Sequence, residues 1–486
     1  VSFDRKNLGS LLREPLRNGK SARASKSGEG VPVFTLTAVT NADFSAENTK
    51  NSVMTEEQAE DVWAEPGDIF IERSNTPELV GTAALYNGPQ RFAVFPDLLI
   101  RVRPVEDLNG RFLAYFLKSE EARRYFRREA RGIAGSMPKI SQGTVEGLAV
   151  PVPGLAVQKA IVAAIETQFS RLDAAVASLT RAKVNVQRAR ASVLKSAVEG
   201  RLVPTEAALA RAEGRDYEPA SALLARILTE REAAHEAAQE GAKRRKRYKP
   251  PVEPEREGLP ALPEGWCCAS TEGLTVAIVD CLHSTPKFGT GDFACLDTNA
   301  MGPGFIKRDR VRYVSREIFG ERNRRLVPRP GDIVFAREGT VGDAVVLPPR
   351  PAYCLGQRTM LMRPAPEVSA AFVAFALMSP QIRRQYAKNI AGSTVAHVNM
   401  RDIRMFAFPV PPLPEQHRIA AEVDRRLSVL DAIDTTLDAN LARCEHLRQS
   451  ILKRAFEGRL VPAPRSPKVD ASGNAEQLGL FDEASA

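Results

Sequence analysis

Residues 151–204 and 409–462 are two copies of one segment, and any fold for this chain has to accommodate both. PVPGLAVQKAI…LDA…SVLKSAVEGRLVP recurs as PVPPLPEQHRI…LDA…SILKRAFEGRLVP at a constant offset of 258, with 23 of 54 aligned positions identical. The closing EGRLVP matches throughout, at 199–204 and 457–462. Upstream the likeness is weaker. IAGS stands at 133–136 and 390–393, and EPGDIF at 65–70 echoes RPGDIV at 329–334, with offsets of 257 and 264. Loop lengths drift while the order of elements holds. A period near 260 residues is far beyond the roughly 20–50 of a solenoid, so the chain reads as two copies of a two-part module.

The second part of each module is a long helix. Pro153 and Pro414 break the chain, and no proline follows until Pro204 and Pro462. Between them apolar residues recur at spacings of three and four. Ile161, Ile165, Leu172, Val176, Leu179, Val186, Val193 and Ala197 form one seam; Ile419, Val423, Leu430, Leu437, Leu441, Cys444, Ile451 and Ala455 form the other. Gly200 and Gly458 stand where a helix end favours a left-handed residue. Two such helices, each about 60 Å long at 1.5 Å per residue, are expected to pair. Around residues 184–190 the first helix is expected to be weakly anchored.

The first part of each module reads as an α+β globule of about 150 residues, near the modal domain size. Short β-rich runs such as VPVFTLTAV, DIFIE, LLIRVRP, DIVFA and TMLMRP are punctuated by Gly and Pro, and helices are predicted at 109–131 and 368–387. The chain is therefore divided into a globule at 1–150, a long helical segment at 151–204, a linker at 205–262, a second globule at 263–408, a second helical segment at 409–462 and a flexible tail at 463–486. The linker should hold an exposed, charged helix at 217–240, followed by six cations in the seven residues 243–249.

Composition narrows the function. There are 68 Lys and Arg against 59 Asp and Glu, for a net charge of +9. This is a mild bias towards a polyanionic partner. The longest apolar runs, such as 370–378, fall far short of the roughly 20 residues of a membrane span. The six cysteines (267, 268, 281, 295, 354 and 444) form no CxxC pair, which argues against a disulfide framework or a zinc site and for a cytoplasmic setting. The chain opens with Val1, so a non-standard start or a further N-terminal stretch is allowed for.

Catalytic signatures are not found. There is no phosphate loop of the GxxxxGK[ST] type, no HExxH pair and no N/D-P-P-Y/F run. GTGDFA at 289–294 fits GxGxx[GA] formally but has no helix-like sequence behind it. His283 and His397 lack spaced metal-ligand companions. Asp68 and Asp332 follow Pro-Gly in both modules, a placement that suits a turn entering a strand. No catalytic residue and no metal ligand is assigned.

What remains is recognition. The first globule crowds Arg123, Arg124, Arg127, Arg128, Arg131 and Lys139; the second crowds Lys307, Arg308, Arg310, Arg312, Arg322, Arg324, Arg325, Arg383, Arg384 and Lys388. Arginine grips phosphates and the guanine edge in a bidentate way, so these are the candidate DNA contacts. For any one arginine a solvated or ion-paired surface role is the plainer reading; the clustering in two globules is what points to DNA.

Two differing globules, each followed by a long helix closing in EGRLVP, resemble the specificity subunit of type I restriction–modification systems. PVPPLPEQHRIA at 409–420, LPEGW at 262–266, the PGDI turns and YEPASALLARI in the linker carry the resemblance. It implies an α+β fold with two target-recognition domains, 1–150 and 263–408, and two helices, 157–200 and 415–458, paired as an antiparallel coiled coil that sets the domain spacing. Ile161, Ile165, Leu172, Leu179, Ile419, Val423, Leu430 and Leu437 would form that spacer. It further implies that each domain reads one half of an asymmetric, interrupted site in double-stranded DNA. Two modification subunits that bind S-adenosylmethionine and methylate adenine would dock on the helices, together with restriction subunits that use ATP and Mg. The chain itself would hold no cofactor and be catalytically silent.

The first copy departs from this pattern at two places. It has no LPEGW segment, and it has PVPGLAVQ where the second has PVPPLPEQ, a change expected to weaken the turn that orients the first helix. Two other readings are a specificity component of a related system, with modification and cleavage on one other polypeptide, and a coiled-coil scaffold that binds only proteins.

Overall fold

The computed structural model describes residues 3–21, 23–132, 137–240, 247–255, 260–390 and 396–461, with only the backbone at 388–390. The IAGS motifs, the cations at 243–246, the Lys388 side chain and the tail from 463 lie outside the described residues. The chain forms two compact units, residues 1–180 with 438–486 and residues 181–437.

In the first unit a four-stranded antiparallel sheet runs in the order Arg17–Asn18, Leu99–Val102, Ile69–Glu72, Ala83–Leu85. Its central strand IFIE is buried throughout because both faces are covered. Ile69 and Ile71 pack with Phe112, Phe116 and Ile161 on one side. Phe70 faces an aromatic cluster with Phe34, Tyr86 and Phe95 on the other, its ring 4.9 Å from that of Phe95. That second layer is a small sheet, Val31–Phe34 paired with Thr49–Ser52, and Val33 bridges in parallel to Val94.

The second unit repeats this plan. Its sheet runs Thr275–Asp280, Thr359–Pro364, Ile333–Ala336, Ala344–Val346. Ile333 and Phe335 face the core that holds Phe372 and Val423; Val334 and Ala336 face the layer that holds Leu296 and Tyr353. The small sheet is Phe293–Leu296 between Arg312–Val314 and Tyr353–Leu355, with Ala294 parallel to Tyr353. The period-two alternation of the PGDI strand thus feeds two cores in each module.

The helices predicted at 109–131 and 368–387 are each two helices. Gly110–Leu117 is followed by Glu120–Glu129, and Ala370–Met378 by Pro380–Ile390. The break is chemical in both. Ser119 Oγ accepts from Ala122 N and Ser379 Oγ from Ile382 N, so each serine caps a new helix where a continuous one was expected.

The long helices are Leu155–Val198 and Leu413–Phe456, 44 residues each. Both are followed by a left-handed glycine, Gly200 at φ 66° and Gly458 at φ 69°. In the first unit Arg448 pairs with Asp173, and Ile161 and Ile165 share a core with Leu452 and Phe456. In the second, Lys183 lies 3.7 Å from Asp434, Arg190 pairs with Asp431, and Leu194 and Val198 share a core with Ile419, Val423 and Leu427. Residue numbers run in opposite senses, so the pairing is antiparallel. The stretch 184–190 is not the weak point expected, because Val186 is buried and Arg190 is ion-paired.

The linker also differs from expectation. Glu206–Glu213 and Ala220–Ala238 are helices, and Ala220, Leu223 and Ile227 are buried against the second globule. Arg231 donates to the carbonyls of Glu272 and Thr275, the latter at 2.7 Å. Most of the described linker is therefore part of the second unit rather than a solvated tether.

Candidate nucleic-acid interface

Three buried polar devices hold each module in shape. Asp68 and Asp332 end the PGD turns. Asp68 takes Arg103 Nε at 2.5 Å and Nη2 at 3.1 Å, and Asp332 takes Arg363 Nε and Nη2 at 2.7 Å each. A second bond comes from the backbone three residues back, from Glu65 N and Arg329 N at 2.9 Å each. The turn reading of these aspartates agrees with this geometry. The bidentate arginines were missed, although each stands in an Arg-Pro pair at the end of its strand.

The second device is the glutamine of PxxxxxQ. Gln158 Oε1 accepts from Asn109 N at 2.8 Å while its Nε2 donates to the carbonyls of Asp107 and Pro153. Gln416 does the same with Ser369 N at 3.0 Å and the Pro411 carbonyl at 2.9 Å. Asn109 and Ser369 are themselves helix caps. Each long helix is thereby fastened to the globule before it.

The third device differs between the copies. Glu415 is buried; it accepts Trp266 Nε1 at 3.1 Å and Glu206 N at 2.8 Å. Burial raises its carboxyl above the usual range, outweighing those two bonds. Beside it, burial pushes Glu206 up, but the guanidiniums of Arg418 and Arg215, each 2.7 Å away, prevail and hold it low. In the first copy Val157 stands in place of Glu415. Arg5 pairs with Pro151 as Cys268 pairs with Pro409, so Phe3 takes the place of Trp266. Phe3 and Val157 pack on the first unit's core. The two departures of the first copy are one exchange of a polar pair for an apolar pair, and the expected weakening of the turn does not follow, since Gln158 keeps its clamp.

The candidate cations divide by environment. Arg322 is buried and donates to the carbonyls of Leu355, Ser284 and Leu282 at 2.7–2.9 Å, so it serves the fold and not a ligand. Arg123 likewise donates to Val80 O and Glu78 O, and burial lowers its pKa. Arg124 and Arg127 pair with Glu120, Arg128 with Glu129, and Arg383 lies 3.8 Å from Asp343. Arg384 Nε reaches Pro380 O at 3.3 Å and Arg325 Nη1 reaches Asp280 O at 3.2 Å. Arg123–Arg124 and Arg383–Arg384 occupy the same turn of equivalent helices, after Ser119 and Ser379, so this arginine pair belongs to the repeat. Lys139, Arg308 and Arg324 are exposed and Lys307 is half-buried.

The spacer candidates fall on the helix seams. Ile161, Ile165, Ile419, Val423 and Leu437 are buried; Leu172, Leu179 and Leu430 are half-buried. The end positions pack into globule cores as well as on the partner helix.

The surface that sequence reasoning missed is the small sheet of each module. In the first unit the segment 19–30, GKSARASKSGEG, lies along the strand Thr49–Ser52, with Ser25 N donating to Asn51 O at 2.8 Å. Lys26 and Lys50 are exposed there, and Lys20, Ser21, Arg23, Val53, Met54 and Gln58 line an open groove of about 440 Å³. In the second unit the loop ahead of Phe293 lies along Arg312–Val314 in the same way, with Gly289 N donating to Tyr313 O at 3.1 Å. Tyr313 and Phe305 are exposed. Arg312 pairs with Asp297 and stacks 3.5 Å from the Phe288 ring centre, which fixes its guanidinium at the surface. Lys307, Arg308, Arg310, Arg312 and Arg316 fall within ten residues here. The available signal was the pairing of a Gly-rich basic segment with a following short strand.

Among the described residues no group of His, Cys, Asp and Glu is placed to hold a metal ion, and no helix is long and apolar enough to cross a membrane.

Residues 296–442 match a family profile described as the type I restriction modification DNA specificity domain. The chain is 24% identical over 357 residues to the type I restriction enzyme EcoBI specificity subunit of Escherichia coli, covering 71% of this chain and 66% of that protein. It is 28% identical over 238 residues to the EcoKI specificity subunit of Escherichia coli strain K12, covering 48% and 50%. The chain thus matches half to two thirds of the length of these relatives. A chain solved in work on the "structural basis underlying complex assembly and conformational transition of the type I R-M system" superposes with a TM-score of 0.57 at 17% identity, over 94% of this chain and 98% of that one, a likeness of fold. The specificity-domain match in the second module, the specificity subunits matched in sequence and the shared two-module fold agree: this chain belongs to the DNA specificity subunits of type I restriction–modification systems.

Proposed function

We propose that this chain is the sequence-reading component of a type I restriction–modification complex, each globule recognising one half of an interrupted site in double-stranded DNA. The observation that carries this is the contrast within the repeat. The two modules share their sheet order, their Asp–Arg turn and their glutamine clamp, yet the exposed small sheets have unrelated sequences. One scaffold carrying two different basic surfaces suits two different half-sites. Modification subunits binding S-adenosylmethionine and restriction subunits using ATP and Mg would supply the chemistry, and the chain would direct where adenine is methylated or DNA cleaved. A protein-only scaffold has no need of exposed cations gathered on pseudo-equivalent sheets.

The test is binding of duplex DNA by the chain assembled with its modification subunits, across a salt series. Log K should fall with log[salt] by about 0.9 per phosphate neutralised, and a bipartite duplex should be preferred over unrelated DNA. Salt-independent or absent binding would refute the reading.

A further inference from the structure

The register of the small sheets allows the surface to be resolved to single positions. In the first unit Lys50 is opposite Val33, the residue that bridges in parallel to Val94. In the second, Tyr313 is opposite Ala294, which lies parallel to Tyr353. Both Lys50 and Tyr313 are exposed, and both strands carry a Gly-containing segment along the same edge. Lys50 and Tyr313 are thus the same structural position bearing different chemistry. The inward residues of these strands, Ser52 and Val314, are buried.

Resting on the function proposed above, we propose that the strand Thr49–Ser52 with the segment 19–30, and the strand Arg312–Val314 with the loop ahead of Phe293, are the base-reading elements for the two half-sites. Lys50 and Tyr313 are the paired specificity-determining positions. A lysine ammonium donates to the guanine O6 and N7 acceptors of the major groove. A tyrosine combines a hydroxyl that can donate or accept with an apolar ring face. Arg312, held by Asp297 and Phe288, offers a preset guanidinium beside it. The cations around each strand, Lys20, Arg23 and Lys26 in one unit and Lys307, Arg308 and Arg310 in the other, grip the flanking phosphates and set the strand's register on the duplex.

The experiment selects bound duplexes from a random pool with the chain assembled with its modification subunits, for wild type, K50A and Y313A. The expected result is a bipartite wild-type motif, from which K50A loses preference at one or two base pairs of one half only, and Y313A at one or two of the other half only. Each loss should be about 5- to 100-fold. Melting curves matching wild type show that these exposed substitutions leave the fold intact. Uniformly weaker binding with an unchanged motif would make both residues phosphate contacts, and a change in both halves from either variant would break the assignment of one strand to one half; either result overturns the proposal. If wild type itself selects no bipartite motif, the parent function fails, and this assignment falls with it.

Discussion

Replacing the Trp266–Glu415 pair by the Phe–Val pair of the first copy should cost less than its two steps taken singly. Glu415→Val alone leaves the Trp266 indole N–H and the Glu206 backbone N–H without their acceptor in a buried site. At about 1–3 kcal/mol for each unsatisfied buried group, the loss is about 2–6 kcal/mol. Trp266→Phe alone removes a donor to a carboxylate, about 1.5–3 kcal/mol, and adds the cost of a smaller ring. In the double variant the indole–carboxylate bond is counted only once, so it should be more stable than the sum of the singles by about 1.5–3 kcal/mol. Urea denaturation of the four proteins, followed by circular dichroism, measures this. Additivity within about 0.5 kcal/mol would refute the coupling and with it the account of why the first copy lacks both residues. The pH dependence gives an independent check. Burial raises the folded Glu415 pKa above its ordinary value of 4.5, so ionised Glu415 weakens the fold at neutral pH. As pH falls through the raised value towards 4.5, the folded carboxyl takes up its proton before the unfolded one. Wild type should therefore gain stability relative to Glu415→Val over that window, with no further relative gain below it.

Asp332→Ala should destabilise the second unit by about 3–5 kcal/mol, because it leaves Arg363 buried and unpaired, whereas Asp332→Leu with Arg363→Met should be close to neutral; urea midpoints distinguish the two. Neutralising Lys307, Arg308 and Arg310 should reduce the salt slope of DNA binding by about 2–3 units if each holds a phosphate, while Arg322→Met should lower the melting temperature and leave the slope unchanged. Four residues inserted in both long helices add about 6 Å to each and turn each by about 400°, keeping the seams near register. The complex should survive with one or two more base pairs in the gap of its methylated motif, read by sequencing. Insertion in one helix alone should abolish assembly, since both ends of each helix are packed into cores.

Much of this architecture is legible in the chain. The 258-residue offset declares the duplication, and the three-and-four spacing of Ile161 to Ala197 and of Ile419 to Ala455 declares two long helices, because helical periodicity is a local property. PGD at 66–68 and 330–332 marks two turns for the same reason. The serine caps that split helices at Ser119 and Ser379 were also local signals, but they lie inside apolar runs that read as continuous. Other features are matters of tertiary structure. That Asp68 belongs to Arg103, Gln158 to Asn109 and Glu415 to Trp266 depends on contacts between residues up to 149 positions apart, which no periodicity records. The same is true of the arginines. Arg322 and Arg324 are two residues apart and alike in composition, yet one is buried among three carbonyls and the other exposed. The equivalence of Lys50 and Tyr313 rests on strand register alone, since their surroundings in sequence share nothing. Local pattern determined the elements and their repetition; the packing of distant segments decided which charges stabilise the fold and which face solvent.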